Sequence, residues 1–203
     1  MSSKTKTVWT IEEGEIRKPG LSHFVMMALF AGIGVVVGTF GSLAIPLGYV
    51  TAFWPGQAIQ SVGSIWYGGW GAIAGCLFPI ISNAISGSAP LPVSMAYIPG
   101  NLAQAIIAGI AFRMFAADPR LPKAKDWLVF IFWGVIVSNL IGAAWGSTIL
   151  KSFGLIAPDA HLTVFIGWFV GNSVASAILG VVMLKFVTPI VLKTKTFCKG
   201  YWA

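Results

Sequence analysis

Between Lys18 and Arg113 lie 94 residues without a single Asp, Glu, Lys or Arg. No soluble core of this size leaves so long a run uncharged, and at about 20 residues per crossing the run holds four membrane helices with their turns. Two shorter uncharged stretches follow, Trp127–Leu150 with 24 residues and Ala160–Leu184 with 25, each long enough for one more. Only 9% of the chain is charged, against about 25% in ordinary soluble domains, and the mean hydropathy is +0.84. The chain reads as an all-α polytopic membrane protein of the cell membrane, a bundle of about six transmembrane helices. The organisation expected is an N-terminal segment 1–20, a membrane domain 21–192 and a C-terminal tail 193–203.

The expected spans are Phe24–Ile45, Val50–Tyr67, Trp70–Ile85, Ile98–Phe115, Trp127–Leu150 and Thr163–Val191. Gly68, Gly69 and Gly71 form the only turn between spans two and three. Charge placement tests the set, because cytoplasmic loops carry the Lys/Arg excess. Lys4, Lys6, Arg17 and Lys18 precede span one. Arg113, Arg120, Lys123 and Lys125 lie between spans four and five, and Lys185, Lys193, Lys195 and Lys199 end the chain. Six crossings with both termini cytoplasmic put twelve of the thirteen cations inside and leave only Lys151 outside. The loops Pro46–Thr51, Ser86–Tyr97 and Lys151–Leu162 then face outward. A nucleic-acid partner is not needed to explain the net charge of +7, since no basic stripe with interleaved aromatics exists.

All six acidic residues, Glu12, Glu13, Glu15, Asp118, Asp126 and Asp159, fall outside the spans. A proton relay at membrane depth and a charged selectivity ring are therefore disfavoured. His23 and His161 sit at predicted helix ends with no carboxylate at i+3 or i+4, so neither a zinc site nor a hydrolytic triad is written here. Cys76 and Cys198 have no metal-type spacing and read as free thiols. The chain reads as a non-enzyme without metal or cofactor.

What the spans do hold is neutral amides: Gln57, Gln60, Asn83, Asn101, Gln104, Asn139 and Asn172. A buried amide without a partner costs on the order of a few kcal/mol, so each must bond another helix, water or a ligand. Trp54, Tyr97 and Trp145 are expected at similar depths, and amides beside aromatic faces suit an uncharged or zwitterionic organic ligand. Trp54, Gln57, Gln60, Asn83, Asn101 and Trp145 are the candidate substrate contacts, with helix-to-helix bonding as the competing use of the amides. Small residues recur at four-residue spacing as Ala28/Gly32, Gly34/Gly38/Ser42, Gly71/Gly75 and Ser176/Gly180, which lets helix backbones approach closely.

Six helices in about 200 residues, elaborated outer loops, a small-residue first helix and the glycine-rich segment Trp70–Pro79 followed by Ile81–Ser88 resemble the substrate-binding S component of an energy-coupling factor transporter. The resemblance implies capture of a vitamin-like micronutrient on the outer face. It also implies membrane partners: a transmembrane T component, met by Ala28, Gly32, Gly34 and Gly38, and ATPase subunits. A second resemblance, carried by Phe53–Ile59, Trp70–Phe78, Pro99–Gln104 and Arg113, is to the membrane-associated sensor domain of bacterial signalling proteins. It implies a sensor or assembly subunit with no transport activity of its own.

Overall fold

In the computed structural model, residues 6–44, 46–47, 50–51 and 53–203 are described, with side chains outside 43–52. Lys4, counted among the inner cations, and Gly48 and Tyr49 of the first expected outer loop lie outside the described residues. Among the described residues the regular structure is helical apart from one antiparallel pair of two-residue strands. Helix α1 is Leu21–Ala44, strands β1 (Pro46–Leu47) and β2 (Val50–Thr51) pair antiparallel, and α2 is Gly56–Ser86. After them come α3 (Leu91–Ala96), α4 (Ile98–Met114), α5 (Ala124–Ser152), α6 (Pro158–Phe186) and the short α7 (Thr188–Val191). Four of these, α1, α2, α5 and α6, are long and apolar enough to cross a membrane.

Helix α2 is two helices joined by a turn. Gly68 has φ +56° and ψ −130°, a backbone region open in practice to glycine alone. Beyond it the chain doubles back. Gln60 Nε2 donates to the Gly75 carbonyl at 2.8 Å, and a methyl group on Gly71 would overlap the Gly63 carbonyl oxygen. Residue numbers that rise on one side fall on the other, so 56–67 and 69–86 are antiparallel. Of the glycines 68, 69 and 71 expected to form the turn, Gly68 carries the break. The start of this element is later than the expected Val50, because Val50 and Thr51 pair with β1 and Pro55 precedes the first helical turn.

The same antiparallel relation recurs along the chain, set by small residues that admit large ones. Gly41 meets Pro55 and Gly63 meets Phe30 between α1 and 56–67; Gly75 meets Ala105 between 69–86 and α4. Gly142 meets Gln104 and Gly100 meets Trp145 between α4 and α5, while Gly146 meets Trp168 and Gly180 meets Phe130 between α5 and α6. The long helical segments α1, 56–67, 69–86, α4, α5 and α6 therefore alternate in direction. Both α5 and α6 carry a π-helical stretch, over Phe130–Val137 and Ser176–Gly180, at the level where the Phe130 ring fills the space beside Gly134 and Gly180.

Burial is inverted relative to a water-soluble bundle. Gln57, Gln60, Asn139 and Ser176 are fully buried, while Leu21, Phe40 and Phe186 are 77, 70 and 74% exposed. In water such a surface aggregates. In lipid it costs nothing, and the polar groups inside hold the helices together.

Residues 6–20 and the tail do not hang free. Trp9 Nε1 donates to the Ala117 carbonyl, Arg17 to that of Phe197, and Lys199 Nζ pairs with Glu15 at 2.6 Å. These contacts, with the Gly68 turn bonded to Tyr201 through the Gly69 amide at 2.6 Å, close one end of the bundle. The paired strands β1 and β2, α3 and the residues around 151–160 occupy the other end.

Candidate functional site

The amides of α2, α4, α5 and α6 converge. Gln104 Nε2 donates to Gln57 Oε1 and to Asn139 Oδ1, both at 2.9 Å. Asn172 Nδ2 donates to the same Gln57 oxygen at 3.2 Å, and Asn139 Nδ2 to Ser176 Oγ at 3.4 Å. Ser61 Oγ, which accepts from Gln57 Nε2, itself donates to the Gly134 carbonyl at 3.1 Å. Four helices are thereby tied at one level by a nearly closed set of hydrogen bonds, and in a low-dielectric interior such a set rigidifies what it joins. The glycine at 142 makes it possible: a methyl there would overlap Gln104 Cδ.

Toward the end away from the termini, the network opens into a cavity of about 70 Å³. Trp54, Asn83, Tyr97, Asn101, Gln104 and Trp168 are the wall residues that give it character, with Ser42, Pro79, Ser88, Ala89 and Asn172 completing the lining. None of them is charged. Trp54 is held by its Nε1, which donates to the Gly38 carbonyl at 3.1 Å, and stacks on Phe78. Tyr97 and Trp168 meet edge to face with centroids 5.4 Å apart, the geometry aromatic quadrupoles favour. Asn83 is spoken for, donating to Ser94 Oγ at 3.1 Å and accepting from Ser88 at 3.3 Å. Asn101 is not: its Nδ2 is buried without a hydrogen-bond partner among the described residues.

The candidate contacts read from sequence divide accordingly. Trp54, Asn83 and Asn101 share the cavity wall. Gln57 lies in the amide network beneath it. Gln60 is fully buried between the halves of α2, its Nε2 used by Gly75 and its Oε1 unpartnered among the described residues. Trp145 stands outside, 42% exposed, with its Nε1 on the Ala96 carbonyl at 2.8 Å. Tyr97, Gln104, Trp168 and Asn172 belong to the lining and were not among the candidates. Gln104 and Asn172 were legible as span amides, but which amides share a wall is decided by packing.

The four small residues expected to meet a partner also divide. Gly34 and Gly38 are buried inside the bundle against Phe78 and Ser82, whereas Gly32 faces open space and Ala28 is exposed. Only Ala28 and Gly32 of the four stand on the outer face of α1. Among the described residues no three His, Cys, Asp or Glu side chains come together, and Cys76 and Cys198 are buried free thiols. No protein-family model, curated protein or solved structure matches the chain.

Proposed function

We propose that the chain is a membrane-embedded capture subunit that binds a small uncharged or zwitterionic organic molecule from the outer side, with transport driven by an ATPase-containing partner. It crosses the membrane six times with both termini and Ala116–Asp126 on the cytoplasmic side. The observation that carries the reading is the cavity itself: amide and aromatic walls without a charge, at the end away from the termini, with the Asn101 amide donor free for a ligand. The alternation of helix direction and the gathering of both termini at one end support the topology. At about 70 Å³ the cavity is well below the roughly 300–1,000 Å³ of pockets that enclose drug-sized ligands. A vitamin-sized molecule therefore enters only if the cavity widens.

Native mass spectrometry of protein gently purified from its own membrane tests the reading. A co-bound organic molecule of a few hundred daltons, lost in Asn101→Ala and Trp54→Ala variants that fold normally, is the expected result. A ligand-free protein in a stoichiometric complex without ATPase subunits would instead favour the sensor or assembly reading. That alternative has its own support in the amide network, which satisfies most of its members without any ligand. Reporter fusions that place Ala116–Asp126 outside would remove the topology.

A further inference from the structure

At the end of the bundle that holds both termini, a second cavity of about 370 Å³ opens beside the start of α1. Its walls include Glu15, Arg17, Lys18, Ser22, His23 and Lys195, closed by Ile16 and Ala203. His23 is 6% exposed, and neither Nδ1 nor Nε2 has a hydrogen-bond partner among the described residues. Leaving both imidazole nitrogens buried and unbonded is costly, and buried polar groups are normally satisfied. The ring stacks against Trp70, with centroids 6.3 Å apart and planes 25° from parallel.

The cations of the cavity wall, Arg17, Lys18 and Lys195, outnumber its anions, Glu15 and the α-carboxylate of Ala203. Among the described residues Glu15 is the one acidic side chain in the wall, and it is engaged by Arg17 at 2.7 Å and Lys199 at 2.6 Å. Lys18 and Lys195 have no ion pair among the described residues. Helix α1 begins here, and the first-turn amides of Leu21 and Ser22 have no carbonyl within the helix to donate to, which adds partial positive charge. Two ammonium groups without an ion pair among the described residues, a helix N-terminus and a buried imidazole without partners converge on one cavity.

We propose that this cavity binds a phosphate group, that of an anionic phospholipid headgroup at the inner membrane surface. A phosphate oxygen accepts from an imidazole N–H and from the α1 amides while its charge answers Lys18 and Lys195. Next to the cavity-lining Ser22 and His23, α1 has an exposed apolar surface, with Leu21 77%, Phe24 53% and Val25 46% exposed, where acyl chains would lie.

The test uses the full-length protein in detergent, with phosphatidylglycerol, phosphatidylcholine and inorganic phosphate as probes read by native mass spectrometry and thermal unfolding. Wild type is expected to retain phosphatidylglycerol under activation that strips phosphatidylcholine. Lys18→Gln/Lys195→Gln is expected to weaken that retention about 10- to 30-fold, since each cation near an anionic headgroup contributes about 1 kcal/mol. His23→Phe, which keeps the stacking on Trp70, is expected to lower it as well. A control, Lys123→Gln/Lys193→Gln, removes two cations from the same end without touching the cavity. Stabilisation by inorganic phosphate over chloride at equal ionic strength, lost in the cavity variants and without any lipid preference, would keep the phosphate site and make its ligand a free phosphate. Equal retention of both lipids with no phosphate effect, or equal loss in the control, would overturn the proposal.

Discussion

The guanidinium of Arg113, in the last turn of α4, donates to the backbone carbonyl of Cys198 at 2.7 Å. The same side chain donates to the carbonyls of Gly200 at 2.8 Å, Ser64 at 3.0 Å and Gly109 at 2.9 Å, and lies over the Trp9 ring at 4.6 Å. One cation thereby joins the tail, the N-terminal segment, α2 and α4. A planar fork of five donors suits this task and an ammonium does not.

Arg113→Met is expected to cost about 3 kcal/mol, because it strands several buried carbonyls at once. Arg113→Lys is expected to recover only part of this. Thermal unfolding of the two variants in the same detergent measures the difference.

Cys198 reports whether the tail is docked. Its thiol is fully buried, and burial, opposed by the nearby Arg113 and Arg17, pushes it up to about 11. At pH 8 the native protein should resist maleimide at this position, whereas Arg113→Met should label readily, the thiolate being the reactive form. Mass spectrometry of the labelled tail peptide distinguishes the two.

Acid should release the same contacts. Hydrogen bonding to Lys199, then to the Glu12 backbone and Arg17, lowers the Glu15 carboxyl from 4.5 to about 2. A carboxylate depressed in the folded state stabilises it fully above its ordinary range and progressively less as pH falls through the folded value. The contribution is thus present above pH 4.5 and lost between about 4.5 and 2. A melting temperature followed from pH 7 to 2 should fall more steeply in wild type than in Glu15→Gln.

Gly142→Ala addresses the amide network. A methyl overlapping Gln104 Cδ forces Gln104 off Gln57 and Asn139, and overpacking of this kind costs about 1–3 kcal/mol. A loss below about 0.5 kcal/mol in thermal unfolding would show that the network tolerates displacement, since overpacking in a rigid site costs more than that.

Gly68→Ala should be worse. The new methyl would collide with the Tyr201 carbonyl oxygen on a backbone that alanine rarely adopts. The expected outcome is poor recovery of folded protein, checked by size-exclusion chromatography after detergent extraction.

Much of this architecture was legible before any coordinate. The uncharged run from residue 19 to 112 required lipid-facing helices because lipid tolerates no unpaired charge. Gly68, Gly69 and Gly71 marked a turn between two apolar segments, and the structure puts the break at the first of them. The amides were legible too, since a polar group inside an apolar span must find a partner. Trp145 shows where this reasoning ends: a tryptophan in a span reads the same whether it lines a cavity or, as here, bonds Ala96 from the outside. Gly34 and Gly32, two residues apart, show it again, one buried under Phe78 and the other facing open space.

Sequence by itself determined the helical class, the position of the break in α2 and the need for polar partners inside, because each follows from local chemistry and the solvent around it. Tertiary structure alone decided that Gln57, Gln104, Asn139 and Asn172 satisfy one another, that Asn101 is left over beside a cavity, and that Arg113 locks the tail. Those outcomes depend on which faces of separate helices meet, and helix rotation is set by many small packing choices at once.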